Sequence, residues 1–190
     1  MGGRQPGLEG VAVKFTPFAI DGPCLVDIEP RSDDRGLFAR TFCEDEFEAQ
    51  GLPSRMVQTN ISVNHLAGTL RGMHMQLEPH GEAKLVRAVR GAIWDVVVDL
   101  REGSPTYLQH VGAELTDQNR RALFVPVGFA HGYQALTDDA EVLYQVSAAY
   151  APGFERGYRH DDPAFGIAWP LGVSSISDKD AAWPLVGEGR

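Results

Sequence analysis

Three short stretches concentrate side chains that can move protons. Gly68-Thr69-Leu70-Arg71-Gly72-Met73-His74-Met75-Gln76 sets an imidazole and a guanidinium in one extended run. Pro126-Val127-Gly128-Phe129-Ala130-His131-Gly132-Tyr133 brings a second imidazole in just behind a Pro/Gly turn. Glu141-Val142-Leu143-Tyr144-Gln145-Val146 carries a phenol among apolar residues. Histidine titrates near neutral pH and serves as a general base. A phenol is a weak acid able to protonate a carbanion, and an ammonium such as that of Lys84 can hold an enolate oxygen. Base, acid and oxyanion stabiliser on different strands of one barrel would suit removal of a proton beside a carbonyl. Each residue also has a plainer reading. A lone histidine in a strand is commonly a satisfied core or surface group, and a lone tyrosine packs in a core or at its rim. Asp95 and Asp99 read equally well as solvated or turn-capping groups and as walls of a polar cavity.

Positioning such a set takes a scaffold of strands. With 21 glycines and 12 prolines among 190 residues, the chain has too many breakers for a helical bundle and no repeat that would mark a disordered or collagen-like polymer. Its apolar runs are short and bounded by breakers, as in a sandwich or barrel. Strands are expected over 11–15, 25–28, 37–42, 55–62, 68–76, 84–90, 92–100, 107–114, 122–125, 132–136 and 141–147. Thr41 and Glu44 have the spacing of a capping box for one helix, with Phe47 facing the core and Gly51 as its stop. In Ala92-Ile93-Trp94-Asp95-Val96-Val97-Val98-Asp99, residues 94, 96 and 98 share one face and 93, 95, 97 and 99 the other. Val89-Arg90-Gly91 predicts a tight hairpin corner before it. Strict alternation also places Leu70, Gly72, His74 and Gln76 together, with Arg71, Met73 and Met75 opposite. Residues 116–119 read as one helical turn, and the tail after Pro152 as a wrapping segment. These elements predict a single all-β domain over 1–190, with its core at about 24–182, built as a double-sheet jelly roll with a few short helices.

The formal net charge of −9 argues against general binding of nucleic acid or an anionic membrane, because the whole-molecule field repels phosphate. A small anion in a locally basic pocket is still compatible with it. Cys24 and Cys43 make no disulfide framework. Neither a signal-like apolar run near the start nor a stretch of membrane-spanning length is present, so a cytoplasmic protein is expected. The metal-binding cupin pattern is met only in part. The block Pro126-Val127-Gly128-Phe129-Ala130-His131 matches it, but His74-Met75-Gln76 stands where His-x-His is needed. Lys84 lies where a carboxylate would be wanted, and an ammonium opposes a dication. No metal is expected.

Several runs in the right order and spacing resemble the dTDP-4-dehydrorhamnose 3,5-epimerase family. They include Asp34-Arg35-Gly36-Leu37-Phe38, Gln58-Thr59-Asn60, Leu70-Arg71-Gly72-Met73-His74-Met75-Gln76, Lys84-Leu85-Val86-Arg87, Gly103-Ser104-Pro105-Thr106, Pro126 to Gly132, Glu141-Val142-Leu143-Tyr144 and Ser177-Asp178-Lys179-Asp180. The resemblance implies a homodimeric cupin jelly roll. It would act without cofactor on a nucleotide-diphosphate-linked 4-keto-6-deoxyhexose, inverting C3 and C5 through an enolate. By resemblance His74 is the base, Asp180 its orienting carboxylate, Tyr144 the acid and Lys84 the residue at the keto oxygen. Arg35, Gln58, Asn60, Arg71, His131, Glu155 and Lys179 match positions that hold sugar or diphosphate, and the cations among them suit phosphate. Three positions depart from the family pattern. Arg40 replaces a glutamate, Thr59 an aspartate and Gln145 a lysine, which predicts an altered nucleobase or sugar preference or, for Arg40, simply a solvated surface residue. Three alternatives stand beside this reading. One is a single-site epimerase; another is a metal-dependent cupin enzyme, disfavoured by Gln76 and Lys84. The third is a non-catalytic sugar-binding module, disfavoured by the presence of both His74 and Tyr144.

Overall fold

Runs bounded by glycine, proline and polar turns become strands throughout. The computed structural model describes residues 11–188. In chain order they form β1 (Val13–Pro17), β2 (Cys24–Ile28), β3 (Arg31–Asp33), β4 (Gly36–Phe38), α1 (Glu44–Ala49), β5 (Gln58–Asn64) and β6 (Leu70–Gln76). Then follow β7 (Lys84–Arg90), β8 (Ala92–Asp99), β9 (His110–Thr116), β10 (Ala122–Val125), β11 (Phe129–Ala135), β12 (Ala140–Val146), β13 (Glu155–Gly157) and α2 (Asp178–Ala181). A six-stranded sheet in the order β1-β2-β10-β7-β12-β5 faces a five-stranded sheet in the order β13-β6-β11-β8-β9, and β3-β4 is a separate hairpin. Pairing within both sheets is antiparallel. This is the double-sheet jelly roll.

Sequence patterning explains the layers. Ile93 and Val97 point inward and pack between the sheets with Val86, Leu123 and Val142. Val96 and Val98 point outward with Trp94 and are covered by Phe165 of the C-terminal tail. Strand β10 reads as unbroken Ala-Leu-Phe-Val because both its faces are covered. Leu123 and Val125 face the other sheet, while Ala122 and Phe124 lie under Phe47 of α1.

Three local expectations are corrected. Helix α1 starts two residues later than a Thr41 cap requires: Cys43 is its N-cap, and no side chain caps it. Glu44, Asp45 and Glu46 crowd the first turn instead, where carboxylates favour the helix dipole. Gly91, at φ +68°, turns the corner between β7 and β8, but these strands belong to opposite sheets, so no hairpin forms. In β6 the alternation is broken by a bulge. His131 pairs with His74 and Tyr133 with Arg71, so three steps on β6 oppose two on β11. The extra residue resets the phase and brings Arg71 round to the face of His74.

Candidate active site

A cavity of about 270 Å³ opens between the sheets, and His74, Lys84, Tyr144, Arg71, His131 and Asp180 all line it. His74 comes from β6, and its Nε2 lies 2.7 Å from Asp180 Oδ1. Asp180 is buried and arrives on α2, from the far end of the chain. The backbone N–H of Gly72 donates to Asp180 Oδ2 at 3.2 Å, and Ser177, the N-cap of α2, accepts from the backbone N–H of Asp180 at 3.1 Å. Burial pushes the Asp180 carboxyl up, but the hydrogen bond and charge of His74, with the Gly72 N–H, outweigh it and hold the group below its ordinary range. With Nε2–H donated to this carboxylate, the Nδ1 lone pair of His74 is free to accept a proton. Gly72 sits at φ +133°, and a Cβ there would lie 2.5 Å from the Gly132 Cα, so the close approach is to β11 backbone.

His131 is the register partner of His74 across β6 and β11. Its Nε2 lies 2.6 Å from Asp95 Oδ1, a second imidazole–carboxylate couple whose acid is fully buried. Asp95 is therefore neither solvated nor itself a cavity wall; it lies buried behind His131, which lines the cavity. Asp99 is the turn-capping group, accepting from Arg101, Ser104 and Thr106.

Lys84 is buried and pairs with Glu82 at 3.1 Å, a carboxylate the sequence reading did not single out. Burial raises the Tyr144 phenol above its ordinary value, and the charge of Glu82 adds to this against the opposing pull of Arg71. Tyr144 therefore keeps its proton at neutral pH. Gln76, at the second histidine position of the metal motif, is a structural staple. It donates to the carbonyls of His80 and Ala149 and accepts from the N–H of Ala151. Among the described residues, no three His, Cys, Asp or Glu side chains gather in a metal-holding arrangement.

Arg71 is oriented by Asn64, whose Oδ1 accepts from Arg71 Nε at 2.9 Å while its Nδ2 donates to the Ala140 carbonyl. Tyr133 donates to the same Asn64 oxygen and shares a 2.6 Å hydrogen bond with Ser62. The polar alternation Asn60-x-Ser62-x-Asn64, read as the inward face of a strand, could have flagged this group.

The other predicted binding residues are spread more widely. Asn60 stands opposite Tyr144 across β5 and β12. Gln58, at the start of β5, accepts from the backbone N–H of Tyr150. Lys179 and Glu155 form an exposed ion pair. Arg35 is outside the cavity: it is exposed on the turn of the β3–β4 hairpin and pairs with Asp33. Arg40 is engaged by Glu46 of α1, not by the cavity. Thr59 and Gln145 are direct register partners across β5 and β12, on the face that alternates away from Tyr144. The two departures thus form one change, a cross-strand acid–base pair of the family pattern replaced by a neutral pair outside the cavity.

A jelly-roll interior holding a carboxylate-oriented imidazole, a protonated phenol and a buried ammonium defines a cupin-type epimerase, an enzyme of the isomerase class. The comparisons specify which one. The family model for dTDP-4-dehydrorhamnose 3,5-epimerase matches residues 17–188, and the chain belongs to that family. It is 45% identical over 179 residues to the dTDP-4-dehydrorhamnose 3,5-epimerase of Methanothermobacter thermautotrophicus, covering 92% of this chain and 95% of the relative. It is 41% identical to a dTDP-4-dehydrorhamnose 3-epimerase of Streptomyces niveus, over 94% of this chain and 86% of that one. The dTDP-6-deoxy-D-glucose-3,5-epimerase of Legionella pneumophila, solved with dTDP-4-keto-L-rhamnose, superposes with a TM-score of 0.89 at 35% identity, covering 94% of this chain and 95% of that chain.

Proposed function

We propose that the protein epimerises a dTDP-linked 4-keto-6-deoxyhexose at C3 and C5, with chemistry run by four residues of the cavity. The observation that carries this reading is the convergence of the His74–Asp180 couple, Tyr144 and Lys84, from four different elements, on one enclosed volume. The C4 ketone acidifies the protons on its neighbouring carbons. His74 Nδ1 accepts one of them, and Asp180 stabilises the imidazolium that results. The electron pair moves onto the ketone oxygen, where the Lys84 ammonium offsets the new charge. Tyr144 then delivers its proton to the opposite face of the carbon, and solvent restores both groups. Arg71, held by Asn64, and Lys179 at the rim suit the diphosphate. Such a local cluster is compatible with a net charge of −9.

A homodimer completes the proposal. Ile61 is 59% exposed and Val63 43% exposed, both on the outward face of the edge strand β5. An apolar edge of this kind needs a cover, which a second copy would supply. The same assembly would give the isolated Arg35 hairpin a partner's cavity to reach. No helix among the described residues is long and apolar enough to cross a membrane. Two free cysteines suit a reducing, cytoplasmic setting.

The test is incubation with dTDP-4-keto-6-deoxyglucose in D2O, following the C3 and C5 protons by NMR. Exchange and inversion at both carbons is expected, and H74N should abolish them. Exchange at one carbon only would reduce the protein to a single-site epimerase. Exchange at neither, with this or other nucleotide forms, would overturn the reading.

A further inference from the structure

The carboxylate that orients His74 sits on a helix of only four residues, near the end of the chain. Such a helix has no stability of its own, so something must hold its position. The polypeptide on either side is anchored by backbone bonds. Leu70 N–H donates to the Ser175 carbonyl at 2.8 Å before α2, and Arg159 N–H to the Pro184 carbonyl at 3.3 Å after it. Between these anchors, the first large side chain after Asp180 is Trp183.

Trp183 lies flat on Gly157 of β13. A Cβ added to Gly157 would clash with its indole ring, at 2.1 Å from Cε2 and 2.3 Å from Cδ2 and Nε1. Gly157 is the register partner of His74 across β13 and β6. The indole also meets the His74 imidazole edge-on, with centroids 6.5 Å apart and planes at 68°. Lys179, within α2, places its ammonium 5.6 Å from the indole centroid. One ring therefore touches the strand opposite the base, the base itself and the helix that carries the orienting acid. Its buried Nε1 has no hydrogen-bond partner among the described residues, so the ring acts here through its shape.

We propose that Trp183, seated on Gly157, is the positioning residue that sets the distance and angle between Asp180 and His74. The inference rests on the reading of His74 and Asp180 as base and orienting acid. Without the ring, α2 retains its Ser177 cap but loses its rest against β13, and the carboxylate shifts relative to Nε2. A displacement on the order of 1 Å at a catalytic group costs about 10²-fold in rate. Trp183 also touches Lys179, but that exposed ammonium is held by Glu155, so the main effect of losing the ring falls on kcat and not on KM.

Three variants test this by the rate of C3 and C5 proton exchange and by KM. W183A should lower kcat about 10- to 100-fold with KM within about twofold of wild type. G157A, which adds one methyl under the ring, should reproduce that loss from the opposite side of the contact. W183F, which keeps an aromatic plate and gives up no hydrogen bond, should restore most of kcat. In the D180N background W183A should cost less than about threefold, since it acts through that carboxylate. Should W183A fail to fold, G157A and W183F still decide the question. The proposal is overturned if W183A and G157A reduce thermal stability while leaving kcat unchanged, if they raise KM instead, or if the losses in W183A and D180N simply multiply. Failure of the underlying reading is a separate outcome, because H74N would then retain exchange whatever Trp183 does.

Discussion

Replacing Asp180 by asparagine probes the dyad with almost no change in volume. The carboxylate now accepts two hydrogen bonds, from His74 Nε2 at 2.7 Å and from the Gly72 backbone at 3.2 Å. An amide offers one acceptor oxygen and one donor nitrogen. If its nitrogen faces Gly72, two donors oppose each other in a buried setting, at a cost of about 1–3 kcal/mol. If its nitrogen faces His74, all groups are satisfied only when the imidazole proton moves to Nδ1, which removes the lone pair that should take the substrate proton. Asparagine thus favours the unproductive tautomer. It also removes the charge that stabilises the imidazolium formed during the reaction, worth about 1.5–3 kcal/mol for a hydrogen bond to a charged group. Together these effects amount to about 2.5–6 kcal/mol, or roughly 10²–10⁴ in kcat. The assay is deuterium wash-in at C3 and C5 under saturating substrate, with dTDP affinity measured separately by calorimetry. We expect kcat to fall by that factor while dTDP affinity changes less than about threefold. A D180N enzyme keeping more than a tenth of wild-type kcat would refute the tautomer argument.

Three further outcomes follow from the same geometry. Y144F should retain deuterium exchange but lose inversion at one carbon or both, because proton removal by His74 does not need the phenol; normal inversion by this variant, read by NMR, would remove Tyr144 from the acid role. D99N should lower unfolding stability by about 2–4 kcal/mol in urea titrations, since the buried carboxylate accepts from Arg101, Ser104 and Thr106 and an amide cannot accept from them all. Burial raises the Asp99 carboxyl, but these hydrogen bonds outweigh it and hold the group far below its ordinary 3.8. Its stabilisation is therefore present above about pH 4 and lost as pH falls through the depressed native value, a slope D99N should lack. I61E should turn the proposed dimer into a monomer in sedimentation velocity, and an assembly state equal to that of the wild type would refute an interface on β5.

How much of this could be read from the residues depended on sequence distance. Strands β7 and β10 begin and end where the sequence predicts, because turn residues bracket both runs; the one-residue slip of β7 against β12 near Val89 leaves the ends of β7 in place. The layering of β8 follows from strict alternation, with Val97 inward and Val96 outward. His74, Lys84 and Tyr144 were legible as chemical types, whereas their convergence depends on strands in opposite sheets. Asp180 is 106 residues from His74, and family resemblance rather than spacing linked them.

What alternation mishandled is more informative. It assigned Arg71 and His74 to opposite faces, and one bulged residue on β6 reverses that assignment. Period-two reasoning carries no memory of an inserted residue, so every position beyond a bulge changes face relative to those before it. Gly72 is the available sign: its positive φ and close approach to Gly132 make it the residue that permits the bulge. A glycine between a cation and an imidazole in a strand is therefore ambiguous in a specific way. It clears space for a substrate or changes the strand's phase, and here the second option puts the Arg71 guanidinium and the His74 imidazole in the same cavity.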